Sequence, residues 1–450
     1  MNRIGTCEVG LEEVDARWST DHQPRSRSFR RKAMSHINHD VIILGAGMVG
    51  ISTALHLQES GLNVALVDRR GPGEETSHGN AGIIEQDGMV PLTIPSNPLE
   101  VLKFASNRKI HMHYHPTFMP RLTSWLFRMW LLSNPAGIDR YARGVQPLRQ
   151  CSADEHAYFA KEADIASEFR HTGWIHLYHC AKTFAGTATA RGYADEFGVD
   201  YEVVDRSGLE ALEPYIDFGD DDHGIFWKGC VNVGSPKRVT KAYAELFIKR
   251  GGDFYTGDAQ TLRQAGDVWR VTGETGDLTA PKVVVALGPW SLDLVKPMGY
   301  HFPLAAKRGY HQHFESRDGA VLNRPIVDED VGFLMTPTER GIRLTSGIEF
   351  AHRDSRKTPS QIYRATDHAR HLYPLGKPVD EEPWMGSRPC FPDSLPLVEK
   401  ADKHDGLYFN FGHGHMGFAT GPATGRMMAD LMLGREGGLD RNAFSSKRFK

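Results

Sequence analysis

Two histidines close to the end of the chain are the residues whose types and spacing most directly suggest chemistry. His413 and His415 lie in the segment FNFGHGHMGF (409–418), separated by one glycine. Residues at i and i+2 of an extended strand face the same way, so the pair suits two metal ligands or an acid and a base. The sequence offers no third ligand, which a metal site needs, and we therefore expect no metal here.

Three glycines of the same segment point to a different chemistry: Gly412, Gly414 and Gly417. Glycine lets the backbone come close to a flat ligand because it has no side chain. The sequence predicts a buried strand at GLYFNF (406–411) and a helix at ATGRMMADLMLG (423–434). A turn between them presents backbone N–H groups and a helix N-terminus to a group that gathers negative charge. We expect His413 to touch ligand or substrate, and His415 to be packed or hydrogen-bonded.

The bulk composition excludes several classes of protein. The 450 residues suffice for two or three domains, and a formal charge of −3 with a pI near 6.7 gives no basis for binding nucleic acid. Five scattered cysteines without a C-x-x-C pair argue against a disulfide framework or zinc module and favour a reducing compartment. No run is long and apolar enough to cross a bilayer. Residues 1–38 lack a hydrophobic period and are predicted to be disordered, with Met34 as the suspected natural start.

A strand, a glycine-rich turn, a helix and a second strand follow this extension. The apolar run VIIL (41–44) leads into Gly45-x-Gly47-x-x-Gly50, and the second strand ends in Asp68. In a dinucleotide-binding unit the first glycine permits the turn, the second admits the pyrophosphate and the third lets the helix pack on the sheet. The acid accepts hydrogen bonds from the ribose, while the helix N-terminus faces the phosphates. The sequence thus predicts a Rossmann-type cofactor domain.

Later segments indicate which dinucleotide is bound and how the domain is arranged. ETSHGNAGII (75–84) has small residues suited to a loop against a flat ring, which favours FAD over NAD. GSPKRVTKAYAELFIKRGG (234–252) is predicted to be a helix, and KVVVALG (282–288) a buried strand, of the same, interrupted domain. We expect the cofactor domain at 39–98, 221–300 and 386–440, a substrate domain at 99–220 and 301–385, and a tail at 441–450.

The intervening sequence is predicted to form a second domain whose mixed or antiparallel sheet covers the ligand. TGWIHLYH (172–179) alternates like a strand, and GFLMTPTERGIRLTSGIEF (332–350) is typical of a hairpin turning near Arg340. PRLTSWLFRMWLL (120–132) is predicted to be a helix with a buried face formed by Leu122, Trp125, Leu126 and Met129; contact with a membrane or an electron carrier is the alternative. HMHYHP (111–116) has no acid nearby, so we expect no metal there either.

Six motifs occur in order along the chain: G-A-G-M-V-G, E-T-S-H-G-N-A-G, V-V-V-A-L-G-P-W-S, K-R-G-Y, S-R-P-C-F-P-D-S-L-P and G-H-G-H-M-G-F. This ordered set resembles the FAD-dependent D-amino-acid oxidase-like superfamily over residues 39–440. The chain is most similar to bacterial D-amino-acid dehydrogenases, including the branch that acts on hydroxy-D-proline. The resemblance implies an α/β fold with an α+β second domain. It also implies noncovalent FAD, because Cys390 does not match the cysteine to which some amine-oxidising relatives attach the cofactor.

The resemblance further implies which residues bind FAD. They lie in the glycine-rich turn, after the second strand, in the loop 75–84, after two later strands and in the C-terminal turn. They are Gly45, Ala46, Gly47, Met48, Val49, Gly50, Asp68, Arg69, Ser77, Asn80, Ala81, Gly82, Ile83, Ala259, Ala286, Leu287, Gly288, Trp290, Gly412, His413, Gly414, Met416 and Gly417.

The implied reaction transfers a hydride from the α-carbon of a D-amino acid to flavin N5, and the imine hydrolyses to a 2-oxo acid and ammonia. Arg388 is implied to bind the substrate carboxylate, unless it pairs with a structural acid such as Asp393. Tyr310 either donates its hydroxyl to that carboxylate or packs in the core, and His413 is the third catalytic candidate. Two neighbouring cations are expected to be surface or ion-paired groups: Lys307 and Arg308.

Several activities stay open at this level. We expect electrons to pass to a quinone or other carrier. A specialist for cis-4-hydroxy-D-proline or D-proline and a glycine or sarcosine oxidase are the nearest alternatives. A flavoprotein subunit active only in a hetero-oligomeric electron-transfer complex is an alternative of another class, and an NAD-dependent enzyme is the weakest. The expected location is the cytoplasm, with peripheral contact to the inner membrane if a quinone is the acceptor.

Overall fold

The computed structural model describes residues 37–95, 97 and 106–449. The predictions of disorder and of a start at Met34 fall on residues outside this range. The helices described are α1 (Met48–Glu59), α2 (Met119–Leu132), α3 (Pro135–Glu162), α4 (Ala181–Ala185), α5 (Ala188–Phe197), α6 (Arg206–Leu212), α7 (Pro236–Lys249), α8 (Ser291–Val295), α9 (Ser360–Leu372) and α10 (Gly421–Leu433). The strands described are β1 (Ile37–Asn38), β2 (Val41–Leu44), β3 (Val64–Asp68), β4 (Ile83–Ile84), β5 (Met112–Tyr114), β6 (Phe169–Arg170), β7 (Trp174–Tyr178), β8 (Tyr201–Val204), β9 (His223–Trp227), β10 (Val231–Val233), β11 (Asp253–Ala265), β12 (Val268–Gly273), β13 (Gly276–Ala280), β14 (Lys282–Val285), β15 (Ala305–Ser316), β16 (Ile326–Asp328), β17 (Phe333–Thr338), β18 (Gly341–Ser346), β19 (Ile348–Phe350), β20 (Leu375–Pro378), β21 (Trp384–Cys390), β22 (Leu397–Lys400) and β23 (Leu407–Phe411).

Nine strands form the first sheet, in the order β1–β13–β12–β11–β3–β2–β14–β23–β22. Its centre, from β11 to β23, is parallel. All four residues of β2 and the first four of β3 are buried, as parallel strands covered on both faces require. The predicted strand–turn–helix–strand unit is confirmed. Its neighbours β11, β14 and β23 come from distant segments, so the sheet is discontinuous in sequence, as predicted.

Two of the predicted helices cover this sheet. Helix α7 begins at Pro236, and the Ser235 hydroxyl caps it by accepting a hydrogen bond from the backbone N–H of Arg238 at 3.4 Å. Helix α10 packs closely on α1, because a Cβ on Gly425 would lie 2.8 Å from the backbone of Ser52. Contact this close requires glycine at the helix crossing.

Eleven strands form the second large sheet, in the order β5–β19–β15–β18–β17–β16–β7–β9–β8, with β20 and β21 also paired to β15. Most pairs are antiparallel, but β5 with β19 and β7 with β16 are parallel. The predicted strand at 172–179 is β7, and the predicted hairpin is β17–β18, closed by the pair Thr338 and Gly341. Strand β21 belongs to this sheet although the sequence assigns residues 386–390 to the cofactor domain. The domain boundaries stay a prediction.

Helix α2 has one buried and one exposed apolar side. Leu122, Trp125 and Met129 are buried, which confirms the predicted face, while Leu126 is only half-buried. The opposite side exposes three large apolar side chains: Phe127, Trp130 and Leu131. Within the described ranges, no helix has the length and apolarity to cross a bilayer.

Candidate active site

A cavity of about 880 Å³ is lined by residues that follow the parallel strands β2, β3 and β14 and by residues of β15 and β21. Its volume is in the range of cofactor and small-molecule sites. The predicted cofactor and catalytic residues all line it, with the exception of Gly50, Gly82 and Gly412.

Those three glycines support the cavity wall from behind. A Cβ on Gly50 would lie 1.8 Å from the carbonyl oxygen of Gly45, which is the helix-packing role predicted for it. Gly82 has a φ of +79°, and its Cβ would lie 2.4 Å from a backbone oxygen of β10. Gly412 has a φ of +88°, and its Cβ would lie 2.1 Å from the ring of Phe391. Their effect on a ligand is therefore indirect.

The glycine-rich turn has the geometry of a phosphate-binding site. Gly45 has a φ of +109°, and a Cβ there would lie 2.5 Å from the carbonyl oxygen of Ala286. Gly47 is the N-cap of α1, makes no side-chain cap, and no acid occupies the first turn. Both glycines line the cavity, so the positive end of the helix dipole faces it.

Asp68 and Ser77 hold this turn in place. One carboxylate oxygen of Asp68 accepts a hydrogen bond from the N–H of Ala46 at 2.7 Å, and the other accepts from the N–H of Arg70 at 3.0 Å. The Ser77 hydroxyl accepts from the N–H of Met48 at 3.0 Å. Burial raises the pKa of Asp68, although these N–H groups oppose that effect. Each carboxylate oxygen has a second lone pair with which it could accept from a ribose.

A tryptophan between two cations forms the far end of the cavity. The guanidinium of Arg69 lies 4.3 Å from the ring centre of Trp290, and that of Arg353 lies 5.4 Å from it. Ala259, which the sequence predicts to bind the cofactor, also lines the cavity. Both guanidiniums are ion-paired, Arg69 with Glu75 and Arg353 with Asp293 and Asp354, so this end offers an aromatic surface rather than free positive charge, and that surface suits a nucleotide.

Asn80 connects the two loops predicted to contact the flavin. Its side-chain N–H donates to the carbonyl oxygen of His415 at 3.0 Å, and its side-chain oxygen accepts from the N–H of Gly82 at 2.8 Å. Arg343, which is buried, donates to the Asn80 carbonyl oxygen. The amide was expected to be available for a ligand, but the structure uses it to hold the loops together.

The two histidines of the opening motif have different environments. His413 is buried, and its Nε2 lies 2.9 Å from the hydroxyl oxygen of Thr424 on α10. Burial lowers the pKa of His413 to about 3, so its ring is neutral at physiological pH. His415 is 60% exposed and therefore not packed, but its Nε2 lies 3.4 Å from a carboxylate oxygen of Glu85, which supports the alternative that it is hydrogen-bonded. The two side chains do not form a joint site.

Strands β15 and β21 present three pairs of residues to the cavity. The antiparallel register places Lys307 opposite Arg388, Gly309 opposite Gly386, and His311 opposite Trp384. Directly opposed residues lie on the same face of a sheet. All six line the cavity, and the rings of His311 and Trp384 are stacked 4.8 Å apart.

Arg388 presents an unpaired guanidinium to this cavity. Asp393, its suggested structural partner, instead forms an ion pair with Arg448 at 2.6 Å. Arg388 makes no ion pair or hydrogen bond with any residue in the part of the chain that the structure describes. Its guanidinium lies against Gly309, where a Cβ would come within 2.5 Å of Nη1. Burial lowers the pKa of Arg388.

The side chain of Tyr310 points to the side of the sheet opposite that of Arg388. Arg388 lies on the same side as its partner Lys307, and Tyr310 alternates with Lys307, Gly309 and His311 along β15. Its hydroxyl donates to Glu349 at 2.8 Å and accepts from Arg308 and from the N–H of Thr358, each at 2.8 Å. The structure therefore does not support donation by Tyr310 to a substrate carboxylate. It supports the alternative in which Tyr310 packs in the core. Arg308 forms a fully buried ion pair with Glu349 at 2.7 Å, as expected of an ion-paired cation. Lys307 is neither on the surface nor ion-paired, contrary to expectation.

The HMHYHP segment also differs from its prediction. Glu349 is distant in sequence but lies 3.4 Å from His115 and 4.0 Å from His113, so the premise that no acid is near is wrong. These three are the one group of potential metal ligands found among the described residues. Arg308 already neutralises the carboxylate, which disfavours a cation there.

Sequence reasoning missed several cavity residues, including Glu85, Arg149, Trp174, His311 and Trp384. The alternation in A-K-R-G-Y-H-Q-H could have revealed one of them. Lys307, Gly309 and His311 occupy every second position, on the side opposite the buried Arg308 and Tyr310. The others are brought in by tertiary contacts and carry no local signal.

The fold and site define a protein that binds a dinucleotide at the carboxyl ends of a parallel sheet and covers it with a second, mainly antiparallel sheet. The glycine cradle, the uncapped N-terminus of α1 and the Trp290 surface fit FAD. Residues 40–431 match the family model described as DAO, FAD dependent oxidoreductase. The chain belongs to this family and is an FAD-dependent oxidoreductase.

Relatives and solved structures agree with this assignment. The chain is 29% identical to a D-amino acid dehydrogenase from Methylobacterium nodulans over 91% of this chain and 99% of the relative. It is 30% identical to a D-amino acid dehydrogenase from Methylobacterium radiotolerans, over 88% of this chain and 96% of the relative. Glycine oxidase from Geobacillus kaustophilus has a similar fold, with a TM-score of 0.73 and 18% identity, over 91% of this chain and 98% of that one.

Proposed function

We propose that the protein oxidises D-amino acids to 2-oxo acids and ammonia and passes the electrons to a quinone or other carrier. The observation that carries this proposal is the half-buried, unpaired guanidinium of Arg388, which lines the cofactor cavity. A carboxylate would neutralise it and accept two parallel hydrogen bonds. The names of the relatives support the D-amino-acid class.

In this proposal the protein positions the substrate, and noncovalently bound FAD would accept the hydride, which carries both electrons, from the α-carbon. Arg388 fixes the α-carboxylate and thereby limits how the α-carbon can turn. Gly309 leaves room for the guanidinium, and Gly386 leaves room for the ring of Trp384. His311 and Trp384 form a stacked wall that excludes water. Burial lowers the pKa of His311 well below its usual value, so this wall is uncharged.

The test is a screen of the purified protein with an artificial electron-accepting dye. Substrates are D- and L-amino acids, cis-4-hydroxy-D-proline, glycine and sarcosine, each with and without oxygen as the acceptor. We expect dye reduction with D-amino acids and slow turnover with oxygen. Preference for glycine or sarcosine, or no reduction unless a second protein is added, would contradict the proposal.

Two variants connect the activity to the guanidinium. Arg388→Met should lower kcat/KM for D-amino acids by roughly 100-fold or more, because two charge-assisted hydrogen bonds are lost. Arg388→Lys should recover only part of that loss, since an ammonium cannot form the planar fork. The FAD content should be unchanged in both variants. Acid precipitation should release the yellow colour from the protein, as expected of noncovalent FAD.

We also propose that the protein works in the cytoplasm with peripheral contact to an anionic membrane. Phe127, Trp130 and Leu131 are exposed on α2. The helix carries Arg121 and Arg128 but no acid, which favours an anionic surface. The protein should sediment with anionic vesicles more than with neutral ones, and Trp130→Ser should reduce this binding. Equal sedimentation with both vesicles would contradict the proposal.

A further inference from the structure

Lys307 is a buried cation that the proposed reaction does not use. Lys307 is 5% exposed, lines the cavity and lies directly opposite Arg388 on the neighbouring strand. Opposed side chains have Cβ atoms about 5 Å apart. Within the described residues, Lys307 makes no ion pair and no hydrogen bond. Two cations therefore share one face of the cavity without an acidic partner.

The surroundings of Lys307 do not compensate its charge. Lys307 is paired in register with Phe350, which belongs to an apolar cluster that also includes Leu122 and Cys390. The ammonium lies 4.9 Å from the ring centre of Trp125 on α2. Such a contact offsets only part of the cost of burying an ammonium. Burial, and then the charge of Arg388, lower the pKa of Lys307.

Acids elsewhere in the cavity already have partners. Glu85 lies 3.4 Å from Arg149, and the remaining acids belong to the nucleotide end. Two of these acids accept hydrogen bonds from backbone N–H groups: Asp68 and Asp258. The others form ion pairs: Glu75 with Arg69, Asp293 and Asp354 with Arg353, and Glu74 with Lys241. An anion for Lys307 must therefore come from a ligand.

The two cationic groups lie against different neighbours. The guanidinium of Arg388 leans over Gly309, two residues along β15 from Lys307. The ammonium of Lys307 lies instead beside Trp125, whose ring N–H donates to the carbonyl oxygen of Cys390 at 3.1 Å. A ligand with a single carboxylate bound to Arg388 would leave the ammonium of Lys307 without a negative partner.

We infer that Lys307 binds a second anionic group, so that the site selects acidic D-amino acids, with the α-carboxylate on Arg388 and the side-chain carboxylate on Lys307. This inference rests on the proposed function for the position of the α-carboxylate. The two alternatives are a lysine that only packs on Trp125 and a lysine that shares the α-carboxylate with Arg388.

The first experiment compares acidic substrates with their neutral amides, which have nearly the same shape. We expect kcat/KM for D-aspartate or D-glutamate to exceed that for D-asparagine or D-glutamine by about 10- to 100-fold. Lys307→Met keeps the length of the stem and should abolish this preference, chiefly by lowering kcat/KM for the acids. Lys307→Arg should retain a preference for the acids. Lys403→Met is the matched control: this exposed lysine lies 5.2 Å from the ring centre of Tyr300, outside the cavity, and its loss should change nothing.

A second experiment measures binding without turnover. The oxidised FAD-loaded protein is titrated with glutarate, succinate and butyrate, and the flavin absorbance is followed. A dicarboxylate should bind about 10- to 100-fold more tightly than butyrate, and Lys307→Met should remove the difference.

The outcomes separate the two proposals. Equal use of acids and amides by the wild-type protein overturns the role of Lys307 but leaves D-amino-acid oxidation standing. A Lys307→Met variant that loses activity on acids and amides alike also overturns it, since the lysine then serves the α-carboxylate. Oxidation of no D-amino acid, together with tight dicarboxylate binding that needs Lys307, refutes the proposed function and retains the second anion site.

Discussion

Gly309→Ala is the substitution that most directly tests how Arg388 is positioned. The added Cβ would lie 2.5 Å from Nη1, 2.6 Å from Nη2 and 2.7 Å from Cζ of Arg388, whereas ordinary contact begins at 3.4 Å. The guanidinium must therefore move by about 1 Å, and a displacement of that size at a reacting site costs on the order of 100-fold in rate. We expect kcat/KM for the best D-amino acid to fall by that factor, which corresponds to about 2.7 kcal/mol.

The fold should tolerate this change. Gly309 does not have a positive φ, so alanine is not strained there, and the group that must move is the end of a flexible side chain. FAD content and Tm should therefore stay close to wild type. Gly192→Ala is the control: Gly192 is exposed on helix α5, and its Cβ would meet no atom within 4 Å. A Gly309→Ala protein within about twofold of wild-type kcat/KM would refute this account of Arg388.

Three further predictions concern the cofactor, stability and pH. Gly50→Ala places a Cβ 1.8 Å from the carbonyl oxygen of Gly45 and should yield protein with little FAD, measured as flavin absorbance per protein; full loading would contradict the packing role. Glu349→Gln breaks a fully buried ion pair and should lower the free energy of unfolding by about 3–5 kcal/mol in urea denaturation, and a loss under about 1 kcal/mol would contradict it. Hydrogen bonding to Asp328, followed by that to Asp222, raises the pKa of His179 from 6.5 to about 9. Its stabilising effect is therefore complete below pH 6.5 and lost as the pH rises through 9, so the Tm difference between wild type and His179→Gln should shrink over that interval.

Local sequence patterns determined the cofactor half of the site. The turn at Gly45, the acid at Asp68 and the glycines around His413 belong to short contiguous segments, and their conformations depend on local steric rules. The buried strands β2, β3, β14 and β23 could be predicted for the same reason, because continuous apolar runs indicate strands covered on both faces. The order of the motifs along the chain then indicated the family.

The substrate half was decided by tertiary structure. Whether Arg388 is free depended on Arg448 pairing with Asp393, and the place of Tyr310 depended on Glu349, which lies 39 residues away in sequence. The sequence alone left Lys307 as an ordinary cation, whereas the register of β15 with β21 sets it beside Arg388 in a buried cavity. Long-range pairing decides such contacts, because a shift of one residue in register would turn each side chain to the other face of the sheet.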